Sequence, residues 1–193
     1  IVASKGIGGY FLHCEAGRVS SVSALREKKH RPSKPFALMY PDMDALKDYK
    51  LRAREMQALT HCSAPIVLLG SEQAFRGKEV IAPGLDQIGV MLPYATLYEL
   101  LLREFGKPIV ATSGNISNSP IVFQDEVALS ELSQIADFIV VNNRDIVIPQ
   151  DDSVVRYTVF QSQKIVIRRA RGLAPTYINA GLEWPSQSIL ATG

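Results

Sequence analysis

Nine short apolar runs, each bounded by turn-forming residues, limit the architectures open to this chain. They are Ile1–Ala3, Gly9–Cys14, Phe36–Tyr40, Ile66–Leu69, Ile88–Met91, Ile109–Ala111, Phe138–Val141, Ser153–Phe160 and Lys164–Arg168. Runs of this length and composition read as β-strands. Helical spacing fills the gaps at Val19–Lys29, Asp42–Asp48, Leu51–Thr60, Leu97–Phe105 and Gln124–Gln134. In the last of these, Asp125 and Glu126 occupy the first turn, where the helix dipole favours acids. Strands and helices alternate through most of the chain, and strands cluster near its end. The pattern predicts an α/β fold, a twisted mixed sheet of parallel and antiparallel strands with helices packed on it.

The 193 residues are enough to bury a core. One domain is expected over residues 1–175. Ala174–Gln187 is linker-like, with Pro175, Gly181, Pro185 and Ser186, and Ser188–Gly193 reads like the first strand of another unit. Residues 176–193 are therefore expected to be a linker and the start of a following domain, and the chain an excised piece of a larger protein.

A net charge of +2 provides no global field to recruit nucleic acid or a membrane, so any basic patch is local. Cys14 and Cys62 form no C-x-x-C pair, which argues against a zinc site or disulfide framework and for a reducing cytoplasm. Cys14, flanked by apolar residues, reads as a small buried hydrophobe. No apolar run approaches the roughly 20 residues needed to span a bilayer, and no signal peptide is visible. His13, His30 and His61 lack ligand spacing, so no metal site is expected from protein side chains. There is no G-x-S-x-G elbow.

Two segments carry the chemistry. Arg26, Lys28, Lys29, Arg31 and Lys34 form a dense basic run, stiffened by Pro32 and Pro35, that enters an apolar strand. Clustered cations on a stiff loop suit a polyanion, whereas the same charges on a helix end need only face solvent. Thr112-Ser113-Gly114-Asn115-Ile116-Ser117 follows the strand at Ile109–Ala111. Small hydroxyl and amide side chains around a glycine let backbone N–H groups approach phosphate oxygens, and they equally suit a plain Asx or Ser turn. Together the two segments suggest a nucleotide or acyl-phosphate site.

Three weaker features join them. Lys5-Gly6-Ile7-Gly8-Gly9 fails the dinucleotide pattern, because Phe11 stands where a third glycine belongs. It reads either as a tight turn or as a ligand-lining turn in which Lys5, Gly8 and Gly9 border a substrate pocket. Asp151 and Asp152 suit Mg²⁺ as carboxylates, or simply a turn before a strand. Arg168-Arg169-Ala170-Arg171 is a second cationic cluster, in which arginine suits bidentate phosphate contacts.

These residues resemble a known family, the YrdC-like domains of the hydrogenase-maturation carbamoyltransferases (HypF). The resemblance rests on Lys29-x-Arg31-Pro32-x-Lys34-Pro35-Phe36-Ala37-Leu38-Met39, on Gly89-Val90-Met91-Leu92-Pro93-Tyr94, on Thr112-Ser113-Gly114-Asn115 and on Asp151-Asp152-Ser153-Val154-Val155-Arg156. Matching segments run in order from Lys5 to Pro175. The resemblance implies a YrdC-like fold with a concave basic cavity that binds ATP with Mg²⁺ and a carbamoyl donor, carbamoyl phosphate or carbamate, and forms carbamoyl-adenylate. It implies a longer protein in which an acylphosphatase-like domain and zinc fingers precede this domain. A later domain would pass the carbamoyl group to the C-terminal cysteine of a partner maturation protein, toward the cyanide ligand of nickel–iron hydrogenase. By motif, Lys29 and Arg31 are the expected catalytic cations. Lys29, Arg31, Lys34, Ser113, Asn115, Ser117, Ser153, Arg156 and Arg171 are expected to bind nucleotide or phosphate. The chain departs from the family pattern at Phe11 and Tyr98, where histidine is usual, at Glu15 for aspartate, and at Asn118 for glycine.

Such a reaction is governed by charge and position. Carbamate and ATP are both anions, so cations must offset their repulsion and the charge on departing pyrophosphate. Lys29, Arg31, Lys34 and Arg171 are the expected cations, and no base is required because carbamate is already ionised. Two rivals remain, a threonylcarbamoyl-adenylate synthase-like domain of tRNA modification and a duplex-RNA-binding module.

Overall fold

The computed structural model describes residues 1–70, 75, 77–116 and 119–175. The expected linker at 176–193, with Ser117 and Asn118, lies outside the described residues. Among the described residues nine strands, all at the expected places, form one sheet. They are β1 (Val2–Lys5), β2 (Tyr10–Glu15), β3 (Ala37–Met39), β4 (Ile66–Gly70), β5 (Gln87–Met91), β6 (Ile109–Ser113), β7 (Phe138–Val140), β8 (Val154–Tyr157) and β9 (Lys164–Arg168). Their order across the sheet is β7-β1-β2-β6-β3-β5-β4-β8-β9. β1/β7, β3/β5 and β4/β8 run parallel. The other neighbouring pairs run antiparallel, so the sheet is mixed as expected.

The helices are α1 (Val19–Lys28), α2 (Ala53–Leu59), α3 (Lys78–Ile81), α4 (Thr96–Phe105) and α5 (Asp125–Glu131). Asp42–Asp48, expected to be helical, forms only a 3₁₀ turn at Asp44–Leu46. The single turn of α3 was not anticipated, because four residues are too short to display a helical period.

Side-chain alternation divides the central strands between two faces. Leu12, Leu38, Val67, Leu69, Ile88, Val90 and Val110 face one way and meet Val22 and Leu25 of α1, Ala58 and Leu59 of α2, and Ala128 of α5. Burying each such leucine or valine contributes about 1.5–3 kcal/mol, so this face carries most of the fold's hydrophobic stabilisation. Phe11, Met39, Ile66, Met91, Ile109 and Ala111 face the other way and meet Tyr98 and Leu102 of α4. One helix does not cover this second face, and the uncovered part is where the site lies.

Candidate functional site

The register of three neighbouring strands hollows the second face. Ala37 of β3 pairs with Gly89 of β5 and with Ala111 of β6. Three small residues in one cross-strand row leave a trough where larger side chains would fill the space. Phe11, Ile66, Leu68 and Val154 wall the resulting cavity of about 640 Å³. That size falls within the range of small-molecule sites. Its polar lining comes from three places and from Ser119. The loop after α1 contributes Arg31 and Lys34, the end of β6 contributes Thr112, Ser113 and Asn115, and the approaches to β8 and end of β9 contribute Asp151, Asp152 and Arg168.

The first loop begins at a tight helix stop. The His30 N–H bonds to the Glu27 carbonyl at 2.9 Å and the Arg31 N–H reaches back to the Arg26 carbonyl at 2.9 Å. His30 adopts the left-handed conformation (φ 50°). This is a Schellman stop with a non-glycine residue at its left-handed position, and Pro32 follows directly. The reversal separates Lys29 from Arg31. Arg31 turns to the cavity, donating from Nη1 to Thr112 Oγ1 at 3.1 Å and from Nε to the Lys34 carbonyl at 3.2 Å. Burial, with the nearby Arg26 and Arg168 charges, draws its guanidinium down to about 10, so it stays cationic at neutral pH.

Lys29 turns inward and is fully buried. Its Nζ donates to the Ser113 carbonyl at 2.5 Å and to the Asn115 carbonyl and Oδ1 at 2.8 Å each. Lys29 therefore ties the basic loop to the Ser/Asn loop from behind, and is not among the cavity-lining residues. Burial, then the Arg31 and Lys34 charges, pull its ammonium down to about 7. Its oxygen acceptors favour the charged form and oppose that pull.

The Ser/Asn loop is held from both sides. The Gly114 N–H donates to the Tyr10 carbonyl at 2.6 Å and its carbonyl accepts from Val122 N–H at 2.8 Å. A Cβ at Gly114 would stand 2.8 Å from the Tyr10 Cβ and carbonyl oxygen, so only glycine allows this approach. Ser113 Oγ donates to Asn115 Oδ1 at 3.0 Å, and Asn115 Nδ2 to the Ser119 carbonyl.

Of the later cluster, the cavity takes Arg168 and not Arg171. Arg168 donates to the Asp152 carbonyl at 2.7 Å and to Asp151 Oδ2 at 3.3 Å. Arg171 is buried, with Nη2 at 2.8 Å from Asp152 Oδ1 and 2.9 Å from the Ala64 carbonyl, and its Cζ 3.6 Å from the Tyr94 ring centroid. It seats the Asp152 carboxylate, whose proton affinity burial raises and Arg171 lowers. Ser153, also expected at the nucleotide, is fully buried, with its Oγ donating to the Arg171 carbonyl at 2.9 Å. Arg156 is exposed and does not line the cavity. The expected pocket residues Lys5, Gly8 and Gly9 lie outside the lining as well. The Lys5 ammonium pairs with Asp125 at 2.8 Å, and the Gly8 carbonyl accepts from Gln150 N–H at 2.8 Å. That segment is the turn between β1 and β2.

Thr112, Phe11 and Arg168 are among the lining residues that motif reading did not assign. Phe11 and Tyr98, two of the departures from the family pattern, meet edge-on at 6.1 Å between centroids. Tyr98 and His13 pack likewise at 5.5 Å. His13 is buried and its proton affinity falls to about 4, so the apolar wall at Phe11 is backed by neutral rings. Cys14 is buried on the opposite face and burial pushes its thiol up to about 12, leaving no thiolate near neutrality. No group of three or more His, Cys, Asp or Glu side chains among the described residues could hold a metal ion. No helix among them is long and apolar enough to cross a membrane.

The Sua5/YciO/YrdC family, described as "Telomere recombination", matches residues 1–170. Carbamoyltransferase HypF of Synechocystis sp. is 43% identical over 195 residues, spanning 100% of this chain and 25% of the relative. A full-length HypF, solved in a phosphate- and nucleotide-bound form, superposes with a TM-score of 0.83 at 44% identity, covering 90% of this chain and 27% of the other. Another HypF, from T. kodakarensis, gives a TM-score of 0.84 at 40% identity, covering 90% of this chain and 23% of the other. The chain thus spans about a quarter of the length of these relatives.

Proposed function

The chain belongs to the Sua5/YciO/YrdC family, and from that premise we propose that its cavity binds ATP and joins it to carbamate, forming carbamoyl-adenylate for transfer elsewhere in a longer protein. The observation that carries this reading is the convergence of Arg31, Lys34, Thr112, Ser113 and Asn115 on one cavity with an apolar floor. An apolar trough suits a flat heterocycle, and the cations and small polar groups beside it suit a polyphosphate. The full-length HypF solved with phosphate and nucleotide is consistent with this assignment.

In the reaction, a carbamate oxygen forms a bond to the α-phosphorus of ATP. The bond from that phosphorus to the oxygen bridging to the β-phosphate breaks, and pyrophosphate leaves with the electron pair. Arg31 and Lys34 offset the repulsion between the two anions and the charge on the leaving group. Lys29 acts at one remove, holding the Ser113 and Asn115 carbonyls so that the loop faces the nucleotide. No side chain need remove a proton. Mg²⁺ typically binds through one or two carboxylates plus substrate phosphates, and Asp151, half-buried on the cavity wall, fits as such a ligand. Bound there, the ion would neutralise phosphate charge.

The test is isotope exchange between pyrophosphate and ATP. Ammonium carbamate should stimulate exchange, Arg31→Ala should lower it by roughly a hundredfold, as expected for a charge that acts mainly on the transition state, and threonine with bicarbonate should have no effect. Stimulation by threonine would contradict the carbamoyl reading and favour threonylcarbamoyl-adenylate.

A further inference from the structure

Arg26 belongs to the basic run but does not line the cavity. Its guanidinium is instead surrounded by backbone carbonyls. Nε donates to the Val80 carbonyl at 2.6 Å and Nη2 to the Ile81 carbonyl at 2.9 Å. Nη1 donates to the carbonyls of Arg31 at 2.8 Å, Lys34 at 3.1 Å and Pro32 at 3.3 Å. Its Cζ lies 4.4 Å from the centroid of the Phe36 ring, which Arg31 also approaches at 4.9 Å.

A helix-end cation that only needed solvent would not be enclosed in this way. Three carbonyls of the 31–35 loop point at a single nitrogen, which fixes the curvature of the loop. The other two donors anchor that nitrogen to α3, and the Ile81 carbonyl also accepts from the Phe36 N–H at 2.9 Å. The planar fork has five donors in fixed directions, while a lysine ammonium has three and no plane with which to stack on Phe36. Pro32 and Pro35 stiffen the loop but cannot choose its orientation, because proline fixes φ and leaves ψ free.

We propose that Arg26 is a positioning residue of the nucleotide site: it clamps the 31–35 loop against α3 so that Arg31 and Lys34 meet the phosphates in one geometry. The inference rests on the nucleotide reading given above. Arg26 acts through Arg31 and Lys34 and touches no substrate itself.

The test uses Arg26→Lys and Arg26→Gln, with Mg-ATP affinity from titration calorimetry and hydrogen exchange over residues 31–36. Arg26→Lys keeps the charge, and should still weaken ATP binding at least tenfold and speed exchange in 31–36 while the central strands remain protected. Arg26→Gln should do the same to a greater degree. Wild-type affinity and wild-type exchange in a variant with a lowered melting temperature would make Arg26 merely structural and overturn the inference. Failure of both variants to fold would assign Arg26 to the core and overturn it too. A wild-type chain that binds no ATP would defeat the proposed function instead, and the exchange comparison would still decide whether Arg26 clamps the loop.

Discussion

Arg171→Met should destabilise the protein by about 3–5 kcal/mol near pH 7.5, the usual cost of stranding one member of a buried ion pair. The side chain makes charge-assisted hydrogen bonds to Asp152 Oδ1 at 2.9 Å and to the Ala64 carbonyl at 2.9 Å, and covers the Tyr94 ring. Bonds of this kind are worth ~1.5–3 kcal/mol each, and the desolvation of the two ions offsets several kcal/mol of that sum. The larger effect lies in what remains, because methionine leaves the Asp152 carboxylate 3% exposed and without its cation. Its folded-state proton affinity then rises further above the unfolded value. A carboxyl whose pKa is raised on folding costs stability as pH climbs from about 4 through the folded value. The variant should therefore fall short of wild type by more at pH 8 than at pH 4. Adding Asp152→Asn removes the stranded charge and should recover part of the loss, giving a coupling energy of about 1–3 kcal/mol. Urea denaturation of the four proteins at both pH values measures this. Strict additivity of the two substitutions, or a single-variant loss below about 1 kcal/mol, would refute the account of Arg171 as the seat of Asp152.

His13→Gln should flatten the acid side of the stability profile. Burial lowers the ring to about 4, so the unfolded chain binds the extra proton between pH 6.5 and 4, and wild type should lose about 3 kcal/mol across that window; denaturation midpoints of the two proteins from pH 7 to pH 4 check it. Gly114→Ala should cost about 2 kcal/mol through overpacking against Tyr10 and should weaken ATP binding beyond what the folded fraction explains, as read by calorimetry with circular dichroism. Lys34→Ala should leave the melting temperature within about 2 °C of wild type, since the residue is exposed, while reducing ATP affinity roughly tenfold for a lost charge-assisted phosphate contact.

The strands were legible because the central ones are buried on both faces. β5 reads Gln87-Ile88-Gly89-Val90-Met91 with four of its five residues fully buried, an apolar run no solvent-facing segment would carry. The motif loops were legible too, since Arg31, Lys34, Ser113 and Asn115 all reach the cavity. What could not be read was the destination of each cation. Lys29 and Arg31 are two residues apart and turn opposite ways because of one left-handed residue, His30, whose type does not announce that conformation. Arg168 and Arg171 stand in one arginine-rich stretch, and only tertiary packing sends the second under Tyr94 and the first to the cavity. Lys5 pairs with Asp125, 120 residues away, a partner that no local spacing reveals. Even the trough is a property of register, for Ala37, Gly89 and Ala111 are unremarkable until β3, β5 and β6 place them side by side.

A crystal structure of this chain soaked with ATP, Mg²⁺ and carbamate tests the central claim most directly. The account predicts nucleotide density inside the cavity, with the base against Ala37, Gly89 and Ala111 and the α-phosphate within hydrogen-bonding distance of Arg31 or of the Ser113–Asn115 loop. An empty cavity in crystals that bind the nucleotide elsewhere would contradict it.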